Sequence, residues 1–189
     1  MTRRELMSAL LTGLCLPLLA APRLSQAAHW LPSPVLPPVS LVDQHNQPRS
    51  LADLLDRQTV AISFMFTGCA TVCPPQTALL RAAYQRSQAD PRLRDLRIIS
   101  ITVDPYGDGP SQLRAYAERF QLPAHNWILL TGDADDVDQV LRAFDVSSTR
   151  LAEHPPLLWL GDTRRNRWTR TSSLNSPQII VELLQELSA

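Results

Sequence analysis

Residues 59–66 read Thr-Val-Ala-Ile-Ser-Phe-Met-Phe, β-branched, aromatic and apolar almost throughout. A strand wet on one face alternates apolar with polar residues, so this run describes a strand covered on both faces. Such a strand needs helices on each side of its sheet, which confines the chain to α/β architectures. The flanking pattern agrees. Residues 39–43 and 49–51, joined by a polar turn, predict an N-terminal β-hairpin that leads into a short helix at 52–55. Helical spacing recurs at 75–88, 111–120, 133–144 and 177–187, between apolar runs at 96–103, 127–130 and 157–160, with a last strand at 167–171. The expectation is a mixed sheet flanked by helices, in one domain over 39–189.

An extension precedes that domain. Arg3 and Arg4 lead an apolar run over 6–21, and Ser25-Gln26-Ala27 offers small residues where a signal peptidase inspects the chain. Residues 1–27 are read as an export signal, with an uncleaved anchor as the alternative. The apolar run has 16 residues interrupted by Pro17, short of the roughly 20 that a hydrocarbon core requires. The arginine pair loosely resembles a twin-arginine signal. Leu14 stands before Cys15, where a lipoprotein signal has a small residue, which argues against lipidation. Residues 28–38 hold four Pro in eleven positions and read as an extended tether. Export places the domain in an oxidising compartment such as the periplasm, with Cys69 and Cys73 as the thiols left once the signal is removed.

Composition excludes several function classes. The 18 basic residues are all Arg and are balanced by 18 acidic ones, so no net positive field invites nucleic acid. With no Lys in the chain, Schiff-base chemistry and the phosphate-loop lysine are both removed. The six Gly are scattered and form no dinucleotide fingerprint.

What remains is the loop Thr67-Gly68-Cys69-Ala70-Thr71-Val72-Cys73-Pro74, between the buried strand and a helical pattern. In α/β sheets, ligands gather at the carboxyl ends of parallel strands, and this loop occupies such an end; Asp104 occupies the equivalent end of the next strand. A helix N-terminus lowers a nearby thiol's pKa, so both cysteines are expected to be reactive. Pro74 biases Cys73 away from helical geometry, and the three-residue gap is expected to form a loop. The three-residue gap between the thiols suits a less constrained disulfide or a metal held between two sulfurs. A stabilising disulfide or a pair of packed thiols is the bland alternative, though closing so short a loop stabilises little. Two soft thiolates plus an imidazole suit copper(I), whereas structural zinc would ask for a fourth protein ligand. His29, His45 and His125 read as solvated residues. His154, in Glu153-His154-Pro155-Pro156 ahead of the run at 157–160, reads from its neighbours alone as a capping or surface residue sooner than as a ligand.

The segments FMFTGCATVCPPQTALLRAAY, IISITVDPYGDGPSQLRAYAERFQL and NWILLTGDADDV resemble the Sco/SenC family of copper-binding proteins with a thioredoxin-like fold. The likeness runs in the same order over residues 39–189. It implies Cys69, Cys73 and His154 as copper ligands, because the family's metal-binding histidine stands just before the strand that ends here in Asp162. Ala70 and Thr71 replace the family's common Pro and Asp between the cysteines, and Asp108-Gly109-Pro110 replaces its Asp-Thr-Pro. Pro155 or Pro156 is a candidate for the cis-proline that thioredoxin-like domains place near their thiols. The resemblance implies a periplasmic copper chaperone supporting assembly of the binuclear copper centre of cytochrome c oxidase. Its partners would be a copper-site apoprotein, such as an oxidase subunit, and a thiol reductant. A thiol-disulfide oxidoreductase acting through Cys69 and Cys73 is the alternative, with a thiol peroxidase or a copper- or redox-sensing module behind it. Asp104 and Glu153 are candidates for orienting the ligands, beside their plainer reading as turn and surface charges.

Overall fold

The computed structural model describes residues 30–146 and 155–189. The run that led the sequence reading forms strand β3, Thr59–Met65, buried at every position. Its side chains alternate between two cores, as a period of two requires. Val60, Ile62 and Phe64 enter one apolar cluster, whereas Ala61 and Met65 enter the other.

Strands β1, Ser40–Asp43, and β2, Pro48–Ser50, form the expected hairpin, followed by helix α1, Leu51–Leu55. Helix α2, Cys73–Ser87, and a short 3₁₀ turn at Pro91–Leu93 lead into β4, Arg97–Thr102. Helix α3, Pro110–Arg119, precedes β5, Trp127–Thr131, and α4 covers Ala134–Ala143. The chain then supplies β6, Leu157–Asp162, β7, Arg167–Ser172, and α5, Pro177–Leu187.

The sheet order is β2-β1-β5-β4-β3-β6-β7. Strands β3, β4 and β5 are parallel, with Ile62 opposite Ile99 and Ile99 opposite Ile128. Strand β6 runs antiparallel to β3, and β7 antiparallel to β6. Helices α2, α3 and α5 pack on one face and α1 and α4 on the other. The fold is thioredoxin-like, a mixed sheet flanked by helices, with the N-terminal hairpin added to the β5 edge.

Side chains at the closing hairpin explain its fit. The Trp168 ring lies flat over Gly161, where an added Cβ would come within 2.5 Å of it, so no larger residue fits there. Residues 30–36 lie against this end of the domain: Leu31 pairs with Trp168, Arg167 stacks on Trp30 with 5.6 Å from guanidinium carbon to ring centre, and Leu36 packs on the core. Among the described residues no helix is long and apolar enough to cross a membrane. No peptide bond among them is cis, and this includes the one between Pro155 and Pro156, so Pro156 is not a cis-proline.

Candidate metal and thiol site

The parallel strands β3 and β4 end side by side, and their exit loops build the site. The Val103 N–H still bonds the Met65 carbonyl at 2.9 Å, after which the two chains part. From β3 the chain turns at once, with the Cys69 N–H donating to the Phe66 carbonyl at 3.2 Å. Four residues later α2 begins, at Cys73 itself.

The gap at 70–72 is the expected loop, but the helix begins at Cys73, two residues before the start its spacing predicted and against the bias from Pro74. The Gln76 N–H closes the first turn on the Val72 carbonyl at 3.1 Å. Pro74 and Pro75 lack N–H groups, but in a first helical turn these have no partner inside the helix, so nothing is lost. The remaining free N–H, that of Cys73, points at Cys69 and donates to its Sγ at 3.3 Å. The pre-proline preference for extended geometry is a small local bias, and it yields to these bonds.

The two thiols therefore share a turn but not an environment. Cys69 is half-buried at the mouth, and Cys73 is fully buried. For Cys69, partial burial pushes the pKa up, but the Cys73 side chain and the N–H groups of Cys73, Thr71 and Val72 outweigh it. The result lies at about 7. For Cys73, burial again raises the pKa; its bond to Cys69 and the negative fields of Cys69 and Asp108 add to that, against the opposing Phe66 N–H. It is pushed up to about 12. The expectation that both thiols are activated is thus corrected: the helix N-terminus serves the outer sulfur, while the inner one is held as a protonated donor.

Asp108, which sequence reasoning passed over, braces the loop. Its carboxylate is 1% exposed. It accepts the Thr67 N–H at 2.9 Å, the Thr67 hydroxyl, and the Thr102 hydroxyl at 2.6 Å. One side chain thus fastens the start of the cysteine turn to the end of β4. Asp104, the sequence candidate, faces its own turn: its Oδ1 accepts the Gly107 N–H at 3.1 Å. The available signal for Asp108 was its place just before Gly109-Pro110, the start of α3.

Further support comes from α3 and α2. The Tyr116 hydroxyl bonds Thr77 Oγ1 at 2.7 Å and the Cys73 carbonyl at 3.4 Å. Burial, and then the fields of Cys73 and Cys69, push its phenol up to about 12 despite the Thr77 bond, so it stays a neutral donor at physiological pH. Beside this network, Thr67, Gln112, Ala115, Tyr116 and Arg119 line a shallow cleft of about 220 Å³.

His45 and His125 are exposed, as expected, and contribute nothing to the thiols. His154, Glu153 and His29 lie outside the described residues. Among the described residues, no three His, Cys, Asp or Glu side chains are grouped to hold a metal ion. What the described site supplies is a pair of free sulfurs, one poised as thiolate and partly open to solvent.

The sequence profile described as SCO1/SenC matches residues 29–186. The SCO1 protein homolog of Bacillus subtilis (strain 168) is 38% identical over 95 residues, which are 50% of this chain and 48% of that one. A protein of Stutzerimonas stutzeri, provisionally named copper-binding, is 32% identical over 108 residues, 57% of this chain and 50% of the relative. The chain thus spans about half the length of each of these relatives. Among solved structures, BsSco is described as a member of the Sco family of cytochrome c oxidase assembly proteins with a disulfide switch. It superposes with a TM-score of 0.71 at 26% identity, covering 84% of this chain and 95% of that one.

Proposed function

Because the chain belongs to the SCO1/SenC family, we propose that it is an exported copper chaperone, working in the periplasm, that holds copper through Cys69, Cys73 and His154. Its cargo would go to a copper-site apoprotein, the binuclear copper centre of a cytochrome c oxidase subunit being the receiver that fits the family. The observation that carries this reading is the unequal thiol pair. Cys69, with a pKa of about 7, is about half thiolate at neutral pH and partly open to solvent. The Cys73 proton must leave for it to ligate, so binding releases protons and tightens as pH rises. Two sulfurs and an imidazole form a soft donor set suited to copper(I). A three-ligand site also leaves room for an incoming thiolate from the receiver to displace one protein ligand, which a closed four-ligand site would resist.

Anaerobic titration of the reduced protein with copper(I) tests the proposal. One ion should bind per chain, and His154→Ala should weaken it by at least tenfold. No binding at stoichiometric metal would remove the chaperone reading.

The same asymmetry favours one second reading, a thiol-disulfide oxidoreductase that reduces the cysteines of the receiver. The Cys69 thiolate would attack one sulfur of a partner disulfide, breaking its S–S bond and expelling the other sulfur as a thiolate. Cys73, losing its proton, would then attack Cys69 in the mixed disulfide and release the second partner sulfur as a thiolate. The partner gains two electrons, the Cys69–Cys73 pair loses two, and a thiol reductant must restore it. Loss of His154 should leave this exchange intact.

A further inference from the structure

A polar residue buried one turn beyond Cys73 is out of place unless its bonds matter. Gln76 is 1% exposed, and both its amide nitrogen and its amide oxygen are bonded. Pairing of β3 with β6 ends at Ser63 opposite Leu158. Beyond that point Gln76 Nε2 donates to the Phe64 carbonyl at 2.9 Å, and Gln76 Oε1 accepts the Ser173 hydroxyl at 2.8 Å. Ser173 is 0% exposed, and its own N–H donates to the Pro156 carbonyl at 2.8 Å. Three contacts in series therefore join the first turn of α2 and the last residues of β3 to the point where the chain enters β6. That point lies two residues after His154.

Resting on the ligand set proposed above, we infer that Gln76 and Ser173 are a positioning pair that holds the Cys73 turn at a set distance from Pro156, the described residue two positions after His154 in the chain. Neither side chain needs to touch copper. A carboxamide suits the task because it donates to a backbone carbonyl and accepts from the Ser173 hydroxyl in one rigid plane. An apolar side chain of the same size could fill the space but would tie neither strand to the other. Gln76 and Ser173 are both buried, so a lost partner leaves a polar group there without water to replace it.

The test is a double-mutant cycle on the full reduced chain, with copper(I) affinity read anaerobically by competition against a chromogenic chelator and thermal unfolding of the metal-free protein as control. Ser173→Ala should weaken affinity on the order of tenfold. Made in the His154→Ala background, the same change should cost less than about twofold, because nothing is left to position. Gln76→Met, which keeps the volume and drops both bonds, should repeat the pattern. Equal losses in the two backgrounds, or no loss in either, would overturn the positioning pair while leaving the ligand assignment standing. Unchanged affinity in His154→Ala alone would overturn the ligand assignment, and the pair with it.

Discussion

The two ends of the sheet each bury an aspartate in a turn, and they use it differently. At the end away from the thiols, Asp43 is 1% exposed and accepts the N–H groups of His45 at 2.8 Å and Gln47 at 3.0 Å. It also takes the Arg49 Nε at 2.7 Å. Every partner lies within six residues, so this carboxylate closes its own hairpin. Asp108, equally buried, reaches back to Thr67 and Thr102 and binds two different loops together. The local device shapes one turn. The long-range device decides where a reactive turn sits on the fold, and only that end of the sheet carries free thiols among the described residues.

The largest effect that sharpens this contrast is chemical. With Cys69 at about 7 and Cys73 at about 12, alkylation by iodoacetamide near neutral pH should fall almost wholly on Cys69. Its rate should rise through a midpoint near pH 7 and then level off, because the thiolate is the nucleophile. Peptide mapping after brief labelling across pH checks this; comparable labelling of Cys73 would break the picture of an inner, protonated thiol.

Stability comes next. Asp108→Ala removes the acceptor of two hydroxyls and one N–H in a buried place and should cost roughly 3 kcal/mol. Asp43→Ala removes an ion pair whose Arg49 side chain is 41% exposed and can be rehydrated, so its cost should be nearer 1.5 kcal/mol. Denaturant unfolding of both variants gives the comparison directly. Equal costs would mean that the tertiary brace is worth no more than a hairpin closure.

The smallest effect lies in acid. Burial pushes the Asp43 carboxyl up, but the Gln47 N–H, Arg49 and the His45 N–H outweigh it and hold its pKa below the ordinary value of 3.8. A carboxyl depressed in the folded state lends stability that is present above its unfolded pKa and is lost as pH falls through the folded one. The stability gap between the natural chain and Asp43→Asn should therefore be widest above about pH 5 and close steadily below about pH 4. A gap independent of pH would show that the bonds at this turn do not depend on its charge.

Much of this was legible in the chain. The run at 59–66 announced a doubly covered strand because hydrophobic patterning is set by burial, and burial on both faces leaves no polar period. The helix at Pro177–Leu187 and the hairpin at Ser40–Ser50 follow from short-range spacing and turn chemistry, which local sequence carries well. The paired thiols were equally plain. Three things were not. Cys73 opens α2 because bonds from Cys69 and Val72 override a local proline bias. Asp108 rather than Asp104 serves the site because its partner Thr67 lies 41 residues away in sequence. Trp30 and Leu31, at the start of a stretch that is proline-rich and extended by composition, lie on the β7 edge because Leu31 finds Trp168, a pairing no window of neighbouring residues contains.

By itself, then, the sequence determined the layers of the fold and placed two cysteines at the carboxyl end of a central strand, since both follow from periodicity and spacing within one segment. Only the tertiary structure decided that those thiols would differ, one at about 7 and one at about 12. A pKa depends on depth, on which N–H groups point at a sulfur, and on a carboxylate from another loop, and these meet only when distant parts of the chain are packed together.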